Sequence, residues 1–153
     1  MKILFMDCDD LLAPAWARVY RADDPPIDVN TKPFAREAVP EIVAGYGVTV
    51  RGDGRTGGTA RAATLAATGQ PGALQVRLVD PATKGERPGL GACMADSGAP
   101  AFETDQRHAV IGVVSWSTGP QLSAGCGGLT GVTPLARYRT WIVDAAAKMG
   151  SVL

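Results

Sequence analysis

The 153-residue chain holds one histidine, His108, and three cysteines, and none of its apolar runs approaches the roughly 20 residues that cross a bilayer. Each scarcity excludes something. Without a long apolar run, neither a membrane helix nor a membrane partner is expected. Net charge is missing too, because 15 basic residues balance 15 acidic ones. That balance removes the electrostatic footprint of a nucleic-acid or anionic-lipid binder. Chemistry that needs an imidazole has a single candidate. There is no internal repeat and no low-complexity tract. Met1 to Met6 is too short, and too soon broken by acids, to be a secretory leader.

What is present fits one domain. At 46% hydrophobic residues the chain can bury one core. Nineteen glycines and eleven prolines interrupt short apolar runs, the pattern of many brief strands and turns. Strand candidates are 41–44, 61–67, 74–79 and 109–116, with Gly- and Pro-rich joints at 52–58 and 81–91. The end of the chain differs. Tyr138, Trp141, Ile142, Ala145 and Met149 recur at helical spacing, and Gly150 stands where a helix would stop.

The most informative stretch is Gly91-Ala92-Cys93-Met94-Ala95-Asp96-Ser97-Gly98-Ala99-Pro100. Small residues flank one serine, so the backbone can bend sharply and a carbonyl can come close. N–H groups near such a serine are placed to stabilise an oxyanion. Asp-Ser-Gly is also an ordinary turn sequence. Residues farther along the chain give it meaning: Ser115-Trp116-Ser117 at the end of an apolar run, then Gly125-Cys126-Gly127, then Trp141-Ile142.

This order resembles the trypsin-like (chymotrypsin-fold) serine proteases, whose pattern is G-D-S-G-G-P, then S-W-G, a G-C-G loop and a final helix bearing W-I. Upstream, Ile42 to Gly47 resembles the family strand ending G-W-G or G-Y-G, and Asp23 to Ile27 the segment between its two barrels. The likeness runs from about Ile27 to Ile142. It implies an all-β fold: an antiparallel six-stranded chymotrypsin-type β-barrel with a C-terminal α-helix. Residues 41–153 would form this barrel and helix, and residues 1–40 a partial N-terminal barrel remnant and linker.

The resemblance also implies roles. Ser97 would be the nucleophile, and the N–H groups of Ala95 and Ser97 the oxyanion hole. Gly91, Ser115, Trp116 and Ser117 would line the substrate site, with Trp116 as core the plainer alternative. Asp10, followed by Leu11-Leu12 and seventeen residues before Ile27, resembles the family's orienting aspartate. A surface acidic cluster of Asp7, Asp9 and Asp10 is the other reading. Cys93 and Cys126 correspond to the family's disulfide, which implies an oxidising compartment and a secreted or periplasmic protein. Two unpaired buried cysteines are the alternative, and Cys8 is left over.

Departures from the family pattern qualify this. The family's base comes from the N-terminal barrel, whereas His108 lies eleven residues after Ser97, where a loop histidine is expected. Ala95 and Ala99 stand in place of glycines. An oxyanion N–H turned away by the Ala95 methyl would cost about 3 kcal/mol in the transition state. Asp96 has no cleaved N-terminus to pair with, so an unpartnered acid and a partly zymogen-like pocket are expected. Gly91 replaces the acid that captures basic side chains, which favours a small or medium apolar residue before the cleaved bond.

The expected function is therefore a serine-type endopeptidase acting on a peptide or protein, truncated or impaired as the chain stands. A missing half-barrel or a partner chain would complete it, and an unpaired barrel would expose a sticky apolar face. The alternative is a non-catalytic homologue that binds peptide through the same cleft. Neither needs a cofactor. A second resemblance lies at Lys2 to Leu12, similar to the D-x-D motif of haloacid-dehalogenase-type phosphatases. There Asp7 would attack phosphorus, Asp9 would be acid/base, and Mg²⁺ would sit between them.

Overall fold

The computed structural model describes residues 40–69, 74–103 and 110–150. Six strands form: β1 (Pro40–Gly45), β2 (Arg61–Gly69), β3 (Val76–Val79), β4 (Pro100–Glu103), β5 (Val110–Ser117) and β6 (Leu129–Pro134). All neighbours are antiparallel, in the order β1-β2-β3-β6-β5-β4. Pairing of β4 back onto β1, with Ile42 opposite Phe102, closes the barrel.

Alternation drives the closure, because a period of two sends every second side chain inward. In β3, Val76 and Leu78 point into the core while Arg77 is exposed. Leu65, Leu78 and Val132 are fully buried. Each leucine contributes about 2 to 3 kcal/mol by leaving water. Alanines fill the narrow remainder: Ala92, Ala99 and Ala101 lie in the same cluster, with Ala63 and Ala67 packed against it. Gly112 is buried where a side chain would run into Val132 and the Thr133 carbonyl.

Two strands escape the residue pattern. Pro100–Glu103 is four residues long and opens on a proline, which lacks a ladder N–H. Leu129–Pro134 alternates poorly and carries Gly131. Both exist because neighbours on two sides supply their hydrogen bonds. The alternating helices that a D-x-D phosphatase requires are not found among the described residues, and Asp7 and Asp9 lie outside them.

The joint before the Gly91–Pro100 stretch is pinned by Asp80, which is buried. One of its carboxylate oxygens accepts from Ala82 N–H at 2.8 Å and the other from Leu90 N–H at 2.9 Å. The Leu90 and Ala82 N–H groups hold its pKa below the ordinary 3.8, burial opposes them, and Arg87 adds a smaller lowering. A lowered folded-state value means this stabilisation is complete above the unfolded value and disappears as pH falls through the folded one. Asp80→Asn is expected to flatten the acid limb of a urea-midpoint profile between neutral pH and the carboxylate range. An acid limb identical to that of the parent would rule this out.

The helix α1 (Arg139–Lys148) comes directly after a 3-10 turn at Leu135–Tyr138. It forms where the spacing places it, but its orientation corrects the expected stripe. Trp141 is 69% exposed and Met149 72%, while Ala146 is buried. A small residue faces inward because the helix packs mainly on the turn preceding it, which in turn packs on β5. No helix among the described residues is long and apolar enough to cross a membrane.

Candidate active site

The loop between Gly91 and Pro100 is fixed at almost every residue except the serine. Ala92 N–H donates to the hydroxyl of fully buried Thr130 at 2.9 Å. Cys93 is joined to Cys126 by a disulfide, with their Cα atoms 4.7 Å apart. Farther along, Ala99 N–H donates to the Asp96 carbonyl at 2.9 Å. Gly98 N–H donates to the Val114 carbonyl, and Val114 N–H to the Ala99 carbonyl, both at 2.8 Å. These bonds press the loop onto β5 just before Ser115. Ser97 sits exposed at the bend, and its hydroxyl makes no hydrogen bond among the described residues.

Both alanine replacements are accommodated. Ala95 takes the left-handed conformation, φ 66°, that a glycine would adopt freely. Its methyl costs roughly 1 to 2 kcal/mol there. Ala99 is 3% exposed and its methyl joins the barrel core, so that substitution adds packing.

The expectation of an unpartnered Asp96 is overturned. Its Oδ1 accepts from Gly47 N–H at 2.7 Å and its Oδ2 from Cys93 N–H at 2.9 Å. The Gly45-Tyr46-Gly47 motif now has a reason. A side chain on either glycine would collide with the Asp96 carboxylate, which occupies the hollow those glycines leave. Two N–H donors satisfy the acid without any ammonium, so the loop is seated rather than released. A cleft of about 330 Å³ opens behind it, with Asp96, Val43, Val48, Arg61 and Cys93 in its walls. Ser97 does not line that cleft.

The expected substrate-side residues lie along β5 and β6. Gly91 faces Thr130, whose hydroxyl would stand 3.2 Å from any Cβ added there. Ser115 is the extra residue of a bulge, because the register passes from Val114 opposite Val132 to Trp116 opposite Gly131. Its exposed hydroxyl lies 2.6 Å from that of Thr133. Trp116 is half-buried and donates its indole N–H to Gln75 Oε1 at 2.8 Å. Ser117, half-buried, ends the strand opposite Thr130. Asp10, His108 and Cys8 lie outside the described residues. Sequence reasoning missed Thr130, Thr133 and Gln75, whose partners sit 18 to 41 residues away and leave no local signal. The paired glycines at 45 and 47 were the available sign of the Asp96 seat.

A closed six-stranded antiparallel barrel that presents a serine on a disulfide-tied loop defines the chymotrypsin-type serine protease fold. The sequence pattern of the trypsin family matches residues 25–142, and the chain belongs to that family. Among solved structures it is similar to human heparin binding protein, at 24% identity and TM-score 0.58, over 76% of this chain and 47% of that one. A variant of that protein with two substitutions gives TM-score 0.60 over 80% and 49%. The chain thus spans about half the length of the structures it matches. None of the curated proteins matches it.

Proposed function

We propose that the chain is the nucleophile-bearing part of a serine-type endopeptidase, with Ser97 as nucleophile and the N–H groups of Ala95 and Ser97 as oxyanion donors. One observation carries this reading: an exposed serine on a loop locked before it by a disulfide and by an acid seated on two N–H groups, and after it by the backbone bonds of Gly98 and Ala99 to Val114. Preorganised donors of this kind supply much of the catalysis in acyl transfer. An extended peptide fits beside Ser115 to Ser117. Pairing with β4 stops at Val113 opposite Pro100, so that side of β5 carries no strand among the described residues. Added strands bind through such edges.

Gly91 offers no charge to a basic side chain, so a small or medium apolar residue precedes the cleaved bond. Asp10 is the proposed orienting aspartate, and the base comes from a half-barrel or partner chain that completes the site. Membership of this family and the Cys93–Cys126 bond point to an oxidising, extracellular setting.

A fluorophosphonate probe tests the reading. Labelling of this chain by itself is expected to depend on Ser97 and to run at least about 10⁴-fold slower than in a complete Ser-His-Asp enzyme. Labelling that persists in Ser97→Ala would overturn the nucleophile assignment. A rate equal to that of a complete enzyme would overturn the need for an outside base.

A further inference from the structure

Trp116 on β5, Gly131 on β6 and Gln75, one residue before β3, lie side by side. Sheet order runs β3-β6-β5, and the registers pair Arg77 with Gly131 and Gly131 with Trp116. Gln75 precedes Arg77 by two residues, so on extended backbone it shares that residue's face. The neighbours Val76, Leu78 and Val132 are buried inside. The face holding Gln75, Arg77, Gly131 and Trp116 is therefore the outer one.

On this outer face the indole lies across β6. A Cβ on Gly131 would run into ring atoms of Trp116, including Nε1 and Cε2, so only glycine lets the ring rest on the strand. From there the ring N–H reaches Gln75, 2.8 Å from its Oε1. Torsion about the bond to an indole is broad and roughly two-fold. Turning the ring over would carry the N–H away from β3. Gln75 thus selects one face-down state out of two that Gly131 alone would allow.

We infer that Gln75 is a positioning residue: with Gly131 beneath, it holds the Trp116 indole flat as a platform on which an apolar side chain of the bound peptide stacks. This rests on the peptide groove proposed above. The bulge at Ser115 turns Trp116 toward β3, while Ser115 to Ser117 keep their open edge for the peptide backbone. Gln75 touches neither peptide nor Ser97 in this arrangement. Its influence reaches binding through the orientation of one ring.

The experiment compares the parent chain with Gln75→Leu, which removes the acceptor at similar volume, and Gln75→Glu, which restores an acceptor. Hydrogen exchange of the Trp116 indole N–H is followed by NMR, its resonance identified by loss in Trp116→Phe. Binding of acetyl-Phe-Ala-Ala amide is followed in the same spectra. Gln75→Leu is expected to speed indole exchange several-fold and to weaken the peptide about fivefold, the equivalent of one ordinary hydrogen bond. Gln75→Glu should recover both, and fluorophosphonate labelling of Ser97 should not change in either variant. Unchanged exchange in Gln75→Leu overturns the anchor even if the peptide binds. Faster exchange with unchanged peptide affinity overturns the platform. Failure of the parent chain to bind the peptide overturns the groove and the platform together, and the exchange data then still decide whether Gln75 fixes the ring.

Discussion

Replacing Cys93 and Cys126 together by alanine is expected to lower stability by about 3 to 4 kcal/mol, the chain-entropy value for a bridge closing a loop of this length. The two cysteines are 33 residues apart in sequence, and the bridge spans β4, β5 and the loops on either side of them. For a domain of this size the loss corresponds to a fall in Tm of roughly 10 to 20 °C. Replacing both residues avoids leaving a lone thiol, which would confuse the reading with oxidation chemistry. Scanning calorimetry with and without reductant checks it, since reductant should move the parent and not the double variant. A parent midpoint insensitive to complete reduction would show that the bridge constrains nothing the fold does not already hold.

Asp96→Ala is expected to be nearly as damaging, for a different reason. The carboxylate is the acceptor for Gly47 N–H and Cys93 N–H. Its removal leaves two donors in a hollow shaped by glycines, at a cost of about 2 to 5 kcal/mol. Ser97 labelling should fall to background, because the loop bearing Ser97 loses the carboxylate that ties it to the turn just after β1. Asp96→Asn keeps one acceptor oxygen and should lose about half as much. Amide exchange at Gly47 and Cys93 reads the effect directly. Wild-type exchange rates at both amides in Asp96→Ala would sink the proposed seat, whatever happened to activity.

Much of this architecture was legible because its chemistry is local in sequence. The Asp-Ser-Gly bend and the Ser-Trp-Ser run are contiguous, each cysteine stands in a short glycine-bearing run of its own, and the order of these pieces identified the family. β1, β2, β3 and β5 were readable from apolar runs, and α1 from its spacing. β4 and β6 were not, since a strand opening on Pro100 and one interrupted by Gly131 owe their form to neighbours rather than to propensity. Asp96 was misread for a related reason. Its partners are main-chain N–H groups, which every sequence contains and none advertises. The outward face of α1 shows the same limit, because periodicity predicts a helix but not what it packs against. The Gln75–Trp116 bond joins residues 41 apart and became visible only once β3, β6 and β5 lay side by side.

Barrel closure has a last consequence, for survival rather than catalysis. An open sheet offers a long row of unpaired peptide groups to any other extended chain, and fibrils grow from such rows. Here every strand among the described residues has a neighbour on both sides, and the overhang at Ser115–Ser117 is three residues long. Self-templating stacks need segments of roughly six residues. An overhang of that length suits the proposed peptide and is too short to seed a fibril, so the open edge is held out without inviting self-stacking.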